Sequence, residues 1–259
     1  MADLTKLAAA NVRRWNAVTV ERTAAADAVA KRLVAAKPHY QAVEAKTGVP
    51  WFVIAVIHQR ESSQNWKGSL AQGDPWNRKS VNVPRGRGPF SSWEEAAIDA
   101  LVNCHPFLAR RKDWSLSGTL LALEMYNGVG YANKGVPSPY LWAGTSEYKS
   151  GKYVRDGRYD PNHVDQQLGV VALLRSMIKI DPSIKIGAPV PASASATPAK
   201  PEAKPSGGKK AATAVVVGGA VAAQQAHSWG FSSGVIVGVV VAALIVGVIG
   251  FLVWRAKKA

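Results

Sequence analysis

The stretch from Trp51 to Ser62 reads as seven consecutive apolar residues followed by His58, Gln59, Arg60, Glu61 and Ser62. Such a run predicts a helix buried on most sides, with a polar last turn. A carboxyl at that exit is partly desolvated. Desolvation raises its pKa, so Glu61 could hold a proton near neutrality and release it as a general acid. The negative end of the helix dipole pushes the same way. The plainer outcome is a surface ion pair of Glu61 with Arg60 or Lys67, and position alone favours it. His58 and Glu61 also make a His-x-x-Glu on one helix face. Zinc peptidases use that spacing, here with His105 or His163 as a distant third ligand. Two-residue matches of this kind are common, and no further motif picks out the third ligand. Cys104 and His105 do not read as a thiolate dyad, because helix neighbours point apart; Cys104 reads as a small buried hydrophobe. Asp74, in a Gly73-Asp74-Pro75 turn, is the natural second carboxylate. It is either a base that steers water or an Asx turn that shapes the loop. Glu94 and Glu95 fit helix N-terminal charges, and Glu124 a solvated or cleft-edge place.

Helices must position these groups, and the punctuation for them is visible. Pro38 opens a helix that Gly48 closes, and Pro50 opens the apolar one. Ser92 with Glu95 is a capping box before an Ala-rich helix. Ser117 is placed to cap the helix that Gly128 ends, and residues 163–179 carry a helical apolar stripe. Between them lie long loops, 64–89 and 128–161, the first with room for a short hairpin. The fold class expected is mainly α, in an α+β arrangement with long loops, and loops of this length usually carry binding groups.

Well downstream of Glu61-Ser62 stands Tyr126-Asn127-Gly128 at the end of another predicted helix. That pairing resembles the lysozyme-like superfamily, and within it the lytic transglycosylases of glycoside hydrolase family 23. The family's intervening Gly-Leu-Met-Gln is missing. The text between instead resembles phage-type endolysin domains: Gly73-Asp74-Pro75, Val83-Pro84-Arg85-Gly86-Arg87, Trp93 to Leu101, Tyr126 to Tyr131, Ser138 to Gly144 and Gly151 to Gly157. The resemblance covers residues 38–180, and the ordered set is more specific than any one motif. It implies a lysozyme-like fold. It implies cleavage of the peptidoglycan glycan between N-acetylmuramic acid and N-acetylglucosamine, by hydrolysis or by cyclisation, with no cofactor and no metal. By the same resemblance Glu61 is the catalytic acid/base, while Tyr126 and Asn127 hold saccharide and acid, with Ser62 beside them. Asp74 is the candidate second catalytic group. Trp76, Tyr131, Tyr140, Trp142 and Tyr148 offer rings for sugar stacking, some of them necessarily core, with Tyr131 and Trp142 taken for the site. Arg85 and Arg87 suit carboxylates of peptide stems or lactyl groups. Two other classes remain open: a zinc-dependent peptidoglycan peptidase, and a membrane-tethered wall-binding or virion structural protein without activity.

Composition sets the frame. The 259 residues are 47% hydrophobic but only 19% charged, with a net charge of +15 and one cysteine. One cysteine excludes a disulfide framework and a Cys-rich zinc module. The basic excess is distributed: 25 basic against 16 acidic residues leave +9 over 1–186, with +3 in the stretch to Lys210 and +3 at the end. It forms no basic patch with interleaved aromatics, so nucleic acid is not an expected partner. The expected partners are peptidoglycan and a membrane. Residues 1–37 read as an Ala-rich helical arm, with core packing favoured over a satellite position, and not as a signal peptide. Residues 38–186 form the catalytic domain. Residues 187–228 read as a Pro/Ala/Ser/Lys linker with a short apolar run. Residues 229–254 read as a single transmembrane helix, since 234–253 is uncharged and spans about 30 Å, with Trp229 and Trp254 at its ends. Residues 255–259 form a basic tail. The expected setting is a phage-type lysis protein anchored at its C-terminal helix in the bacterial inner membrane and acting on the periplasmic wall. The basic tail favours a cytoplasmic C-terminus, while a tail anchor without an export signal favours the opposite side, so the topology stays open.

Overall fold

A computed structural model describes residues 2–155 and 157–187. The expected linker beyond Gly187, the membrane helix at 229–254 and the tail at 255–259 lie outside the described residues. Among the described residues no helix is long and apolar enough to cross a membrane.

The described chain is mainly helical, with helices α1 (Leu4–Ala17), α2 (Thr23–Ala35), α3 (Lys37–Thr47), α4 (Trp51–Ser62), α5 (Trp93–Asn103), α6 (Leu116–Asn127), α7 (Gly130–Asn133), α8 (Pro139–Trp142) and α9 (Val170–Ile180). Two short strands, β1 (Lys152–Arg155) and β2 (Arg158–Asp160), pair as an antiparallel hairpin.

Helix α4 is the centre. Residues Trp51 to His58 are all buried, and α2, α3, α6 and α9 pack around it. An element covered on every side has no reason to be amphipathic, hence the unbroken apolar run. Pro50 is its N-cap, a place where a missing N–H costs nothing. Ser63 and Gln64 then turn left-handed, with φ of 55° and 60°, which stops the helix just past Glu61 and sends the chain back across its end.

Residues 4–35 belong to this core and are not a separate arm. Asn11 and Trp15 of α1 are buried, and α1 lies on α6. On α2 the small Ala26 and Ala30, one turn apart and fully buried, let α9 approach closely, and α2–α9 is the most extensive helix pair. The capping residues of α3 and α5 are as expected, Gly48 in the left-handed region and Ser92 accepting from Glu95 N. The Glu95 carboxylate reaches Ser91 N at 2.7 Å rather than Ser92 N. Two boundaries differ from the sequence reading. Ser115, not Ser117, caps α6. Helix α9 begins at Val170 rather than at His163. The chain before it stays extended because Gly169 is wedged against the 141–143 backbone, where an added Cβ would lie 2.4 Å from Leu141 O. The hairpin lies at 152–160 and not in the 64–89 loop, which holds only an isolated bridge between Gly68 and Pro75.

Candidate active site

Glu61 sits in the last turn of α4, half-buried, beyond the apolar core run of residues 51–57. Burial pushes its carboxyl up to about 7, against the opposing pull of a Tyr140 hydrogen bond and the Arg60 charge. The Tyr140 hydroxyl donates to Glu61 Oε1 at 3.1 Å, and among the described residues no other hydrogen bond reaches the carboxyl. Glu61 is therefore not the surface ion pair that position alone favoured.

Tyr140 comes from α8, which Pro139 starts. Tyr140 is 4% exposed, and the Arg60 guanidinium stacks over its ring at 4.8 Å. Arg60 is fixed in turn by Asp165, whose carboxylate accepts Arg60 Nη2 at 3.1 Å and Lys152 Nζ at 2.8 Å. The Asp165 side chain is 1% exposed. Burial works to raise its pKa, but the Lys152 hydrogen bond and the Arg60 charge hold it below the usual carboxylate range. Asp165 thus stays ionised and keeps Arg60 pointed at Tyr140, which leaves Tyr140 aimed at Glu61.

Tyr126 closes another side. Its hydroxyl donates to Leu70 O at 2.8 Å, tying α6 to the loop after α4. Burial first, and the Glu61 charge second, push its pKa well up, and the same holds for Tyr140. Both phenols remain O–H donors at any working pH. Asn127 follows Tyr126 and is exposed, with Nδ2 donating to Ser138 Oγ at 3.4 Å. Ser62 sits next to Glu61, but its hydroxyl donates to His58 O at 3.1 Å and leans on Asn65 O at 3.5 Å. It braces the helix end and can only accept from a ligand.

The loop from Gly68 to Phe90 is seated on that helix end. Gly73, at φ 72°, lies so close that a Cβ would meet Glu61 O at 2.8 Å. Asp74 follows it, 9% exposed. Its Oδ2 accepts from Val81 N and Asn82 N, both at 2.9 Å, and its Oδ1 from Asn82 Nδ2 at 2.7 Å. Of the two roles left open for Asp74, this geometry is that of a loop brace. Arg87 grips Asp99 through Nε, at 2.8 Å, and Nη2; it joins the loop to α5 and is not free for a ligand.

Two of the rings expected at the site are placed elsewhere. Trp142 is fully buried core, because α8 turns it inward while Tyr140 faces Glu61. Tyr131 is buried against Tyr153 and Tyr159, and its hydroxyl accepts from Tyr153 N at 3.0 Å; it fastens the hairpin. Tyr148 is likewise internal, its hydroxyl bonded to Gly151 O and His163 O. Trp76 is half-buried, with its Nε1 donating to Trp66 O at 2.7 Å. Glu124, expected at an edge, is 2% exposed on α6, and burial pushes it up to about 7.

The His-x-x-Glu pair does not assemble as metal ligands. His58 is fully buried in a box of Tyr40, Trp66 and Trp93. Its Nε2 lies 3.1 Å from Asn65 O, which can only accept, so Nε2 carries the proton. Its Nδ1 then accepts from the Tyr40 hydroxyl at 3.1 Å, and Gln64 Nε2 donates to that hydroxyl at 3.2 Å. Burial pushes the ring down to about 4. Both nitrogens are committed, and no group of three or more potential metal ligands occurs among the described residues.

The Tyr140–Arg60–Asp165–Lys152 chain carried no signal in the sequence, since its members lie far apart along the chain. Tyr140 was visible only as one aromatic among five. No family model, no curated protein and no solved structure matches this chain.

Proposed function

We propose that the chain is a peptidoglycan-cleaving enzyme of lysozyme-like type, a muramidase or lytic transglycosylase acting between N-acetylmuramic acid and N-acetylglucosamine. The observation that carries this is Glu61: a carboxyl raised to about 7, held on one oxygen by Tyr140 and unbonded on the other. A general acid needs that protonation poise and that open oxygen. The motif order of residues 38–180 supplies the substrate class.

In this reading Glu61 gives its proton to the glycosidic oxygen as the bond to the muramic acid C1 breaks. An oxocarbenium-like centre develops there. The Glu61 carboxylate, still hydrogen-bonded by Tyr140, then removes a proton from the incoming nucleophile. That nucleophile is water in a hydrolase and the sugar's own C6 hydroxyl in a transglycosylase. The commitment of Asp74 to three loop hydrogen bonds leaves Glu61, among the described residues, as the site carboxyl with an oxygen to spare and favours the second route. No metal or cofactor enters the scheme. The wall-binding reading shares the same surface but gives no reason for a protonated, half-open glutamate.

The proposed setting is a lysis protein of phage type, tethered by residues 229–254 to the bacterial inner membrane, with residues 187–228 as the reach toward the wall. The test is digestion of purified sacculi followed by mass spectrometry. Anhydromuropeptides identify a transglycosylase and reducing ends a hydrolase. Cleaved stems identify a peptidase, and intact sacculi a binding protein; either of those last two results overturns the proposal.

A further inference from the structure

Residues 75–90 carry four cations and no acid. Arg87 is neutralised by Asp99. Arg78, Lys79 and Arg85 are exposed and have no ion pair or side-chain hydrogen bond among the described residues. Two valines stand out beside them, Val81 at 70% and Val83 at 37% exposure. Valine is usually drawn inward, so their exposure is informative when they flank unpaired charge.

The loop is braced. Ser80 N donates to Arg87 O at 2.9 Å, Ser80 Oγ to Pro84 O at 2.7 Å, and Arg87 N to Ser80 Oγ at 3.0 Å. Asp74 holds Val81 and Asn82 from the other side. The Asp74 carboxylate, the one acid beside the loop's first turn, is consumed by Val81 N, Asn82 N and Asn82 Nδ2 and pairs with none of the loop cations. A loop built to hold its charges outward binds at lower entropic cost than a mobile one. Its base rests on the Glu61 turn through Gly73.

We infer that this loop is a peptide-stem reader, in which Arg78, Lys79 and Arg85 bind the carboxylates of acidic wall peptides while Val81 and Val83 meet their small methyl side chains. Peptidoglycan stems alternate alanine methyls with free carboxylates, so both features of the loop are complemented by one ligand. The inference rests on the glycan-cleaving proposal only for the identity of the polymer that brings the stems to the loop.

The test measures binding, so it does not depend on cleavage. The full chain in non-ionic detergent, carrying Glu61→Gln, is sedimented with intact sacculi and with sacculi stripped of stems by an amidase. Three solvent-exposed ion pairs of ordinary strength predict a preference for intact sacculi of roughly tenfold, fading at high salt. The triple variant Arg78→Gln, Lys79→Gln, Arg85→Gln is expected to bind both materials alike. The variant Arg78→Lys, Arg85→Lys is expected to keep the preference. Equal binding of the parent to both materials, or an undiminished preference in the triple variant, overturns the inference. So does a loss seen only on phosphatidylglycerol vesicles compared with phosphatidylcholine ones, which would assign the loop to a membrane surface. A preference for stems in a chain whose Glu61 form releases no fragments would uphold the stem reader while defeating the enzyme.

Discussion

Replacing Glu124 by glutamine should stabilise the protein at neutral and alkaline pH while leaving it almost unchanged in acid. Glu124 lies on α6, 2% exposed, with Asn11 Nδ2 at 3.5 Å as its contact from α1. Burial raises its pKa from 4.5 to about 7, against weaker opposing pulls from Asn11, Arg14 and Ser138. Below pH 4.5 the folded and unfolded chains both carry the proton, so nothing is lost. Between 4.5 and 7 the unfolded chain ionises and the folded one does not. Stability therefore falls as pH rises, by about 1.4 kcal/mol per unit at most. Above 7 the loss is complete, at about 3 kcal/mol for this one group. Glutamine has no proton to lose and nearly the same shape. Asn11 Oδ1 is buried without a donor, and a glutamine amide can supply one. Urea unfolding of the full chain in detergent at pH 4, 6 and 8 measures the difference. Glu61 adds a slope of the same sign in both proteins, so only the difference between them is diagnostic. A gain that does not grow with pH, or a larger loss at pH 8 than at pH 4, would refute the reasoning.

Glu61→Gln should abolish fragment release from sacculi while the unfolding midpoint stays in place at pH 4 and rises toward pH 8, since the raised carboxyl is gone, and kcat/KM of the parent should fall above about pH 7 as the acid form is lost. Tyr140→Phe removes the hydrogen bond that lowers the Glu61 pKa, so the alkaline limb should move to higher pH, with a rate loss of about tenfold; an unmoved limb would detach Tyr140 from the acid. Asp74→Ala frees the 81–82 main chain. It should cost about 1–3 kcal/mol and speed tryptic cutting after Arg78, Lys79 and Arg85. Asp165→Ala leaves Arg60 charged and unpaired in the interior, for a loss of about 3–5 kcal/mol, read from urea midpoints.

The helices were legible because their punctuation is local. Pro50, Gly48 and Ser92 act through main-chain groups one to four residues away, so their meaning does not depend on the rest of the fold. Glu61 was legible for a similar reason: seven apolar residues in one element state its burial. What the sequence hid depends on partners far along the chain. Ser115 and Ser117 are equally good caps by type, and packing chose between them. The stripe at 163–179 suggested one long helix, but Asp165 is drawn to Arg60 and Lys152, and Gly169 is locked to Leu141, so its first turns never form. Tyr140 and Trp142 look alike as cleft rings, and only the inward turn of α8 separates a phenol on Glu61 from a ring in the core. Arg87 is taken up by Asp99, twelve residues on in α5, and nothing in the sequence pairs the two. Glu124 reads as a solvated or cleft-edge residue because nothing in its own helix shows that α1 covers it.

The order in which the chain leaves the ribosome gives the Arg60–Asp165 pair a temporal meaning. Helix α4 is made early, but α9 and Asp165, which cover it and hold Arg60, come more than one hundred residues later. Until they arrive, Arg60 has no Asp165 to hold it over Tyr140. The raised carboxyl is thus a property of the finished domain, and a nascent chain that stops before Asp165 lacks the clamp that holds Arg60 behind it.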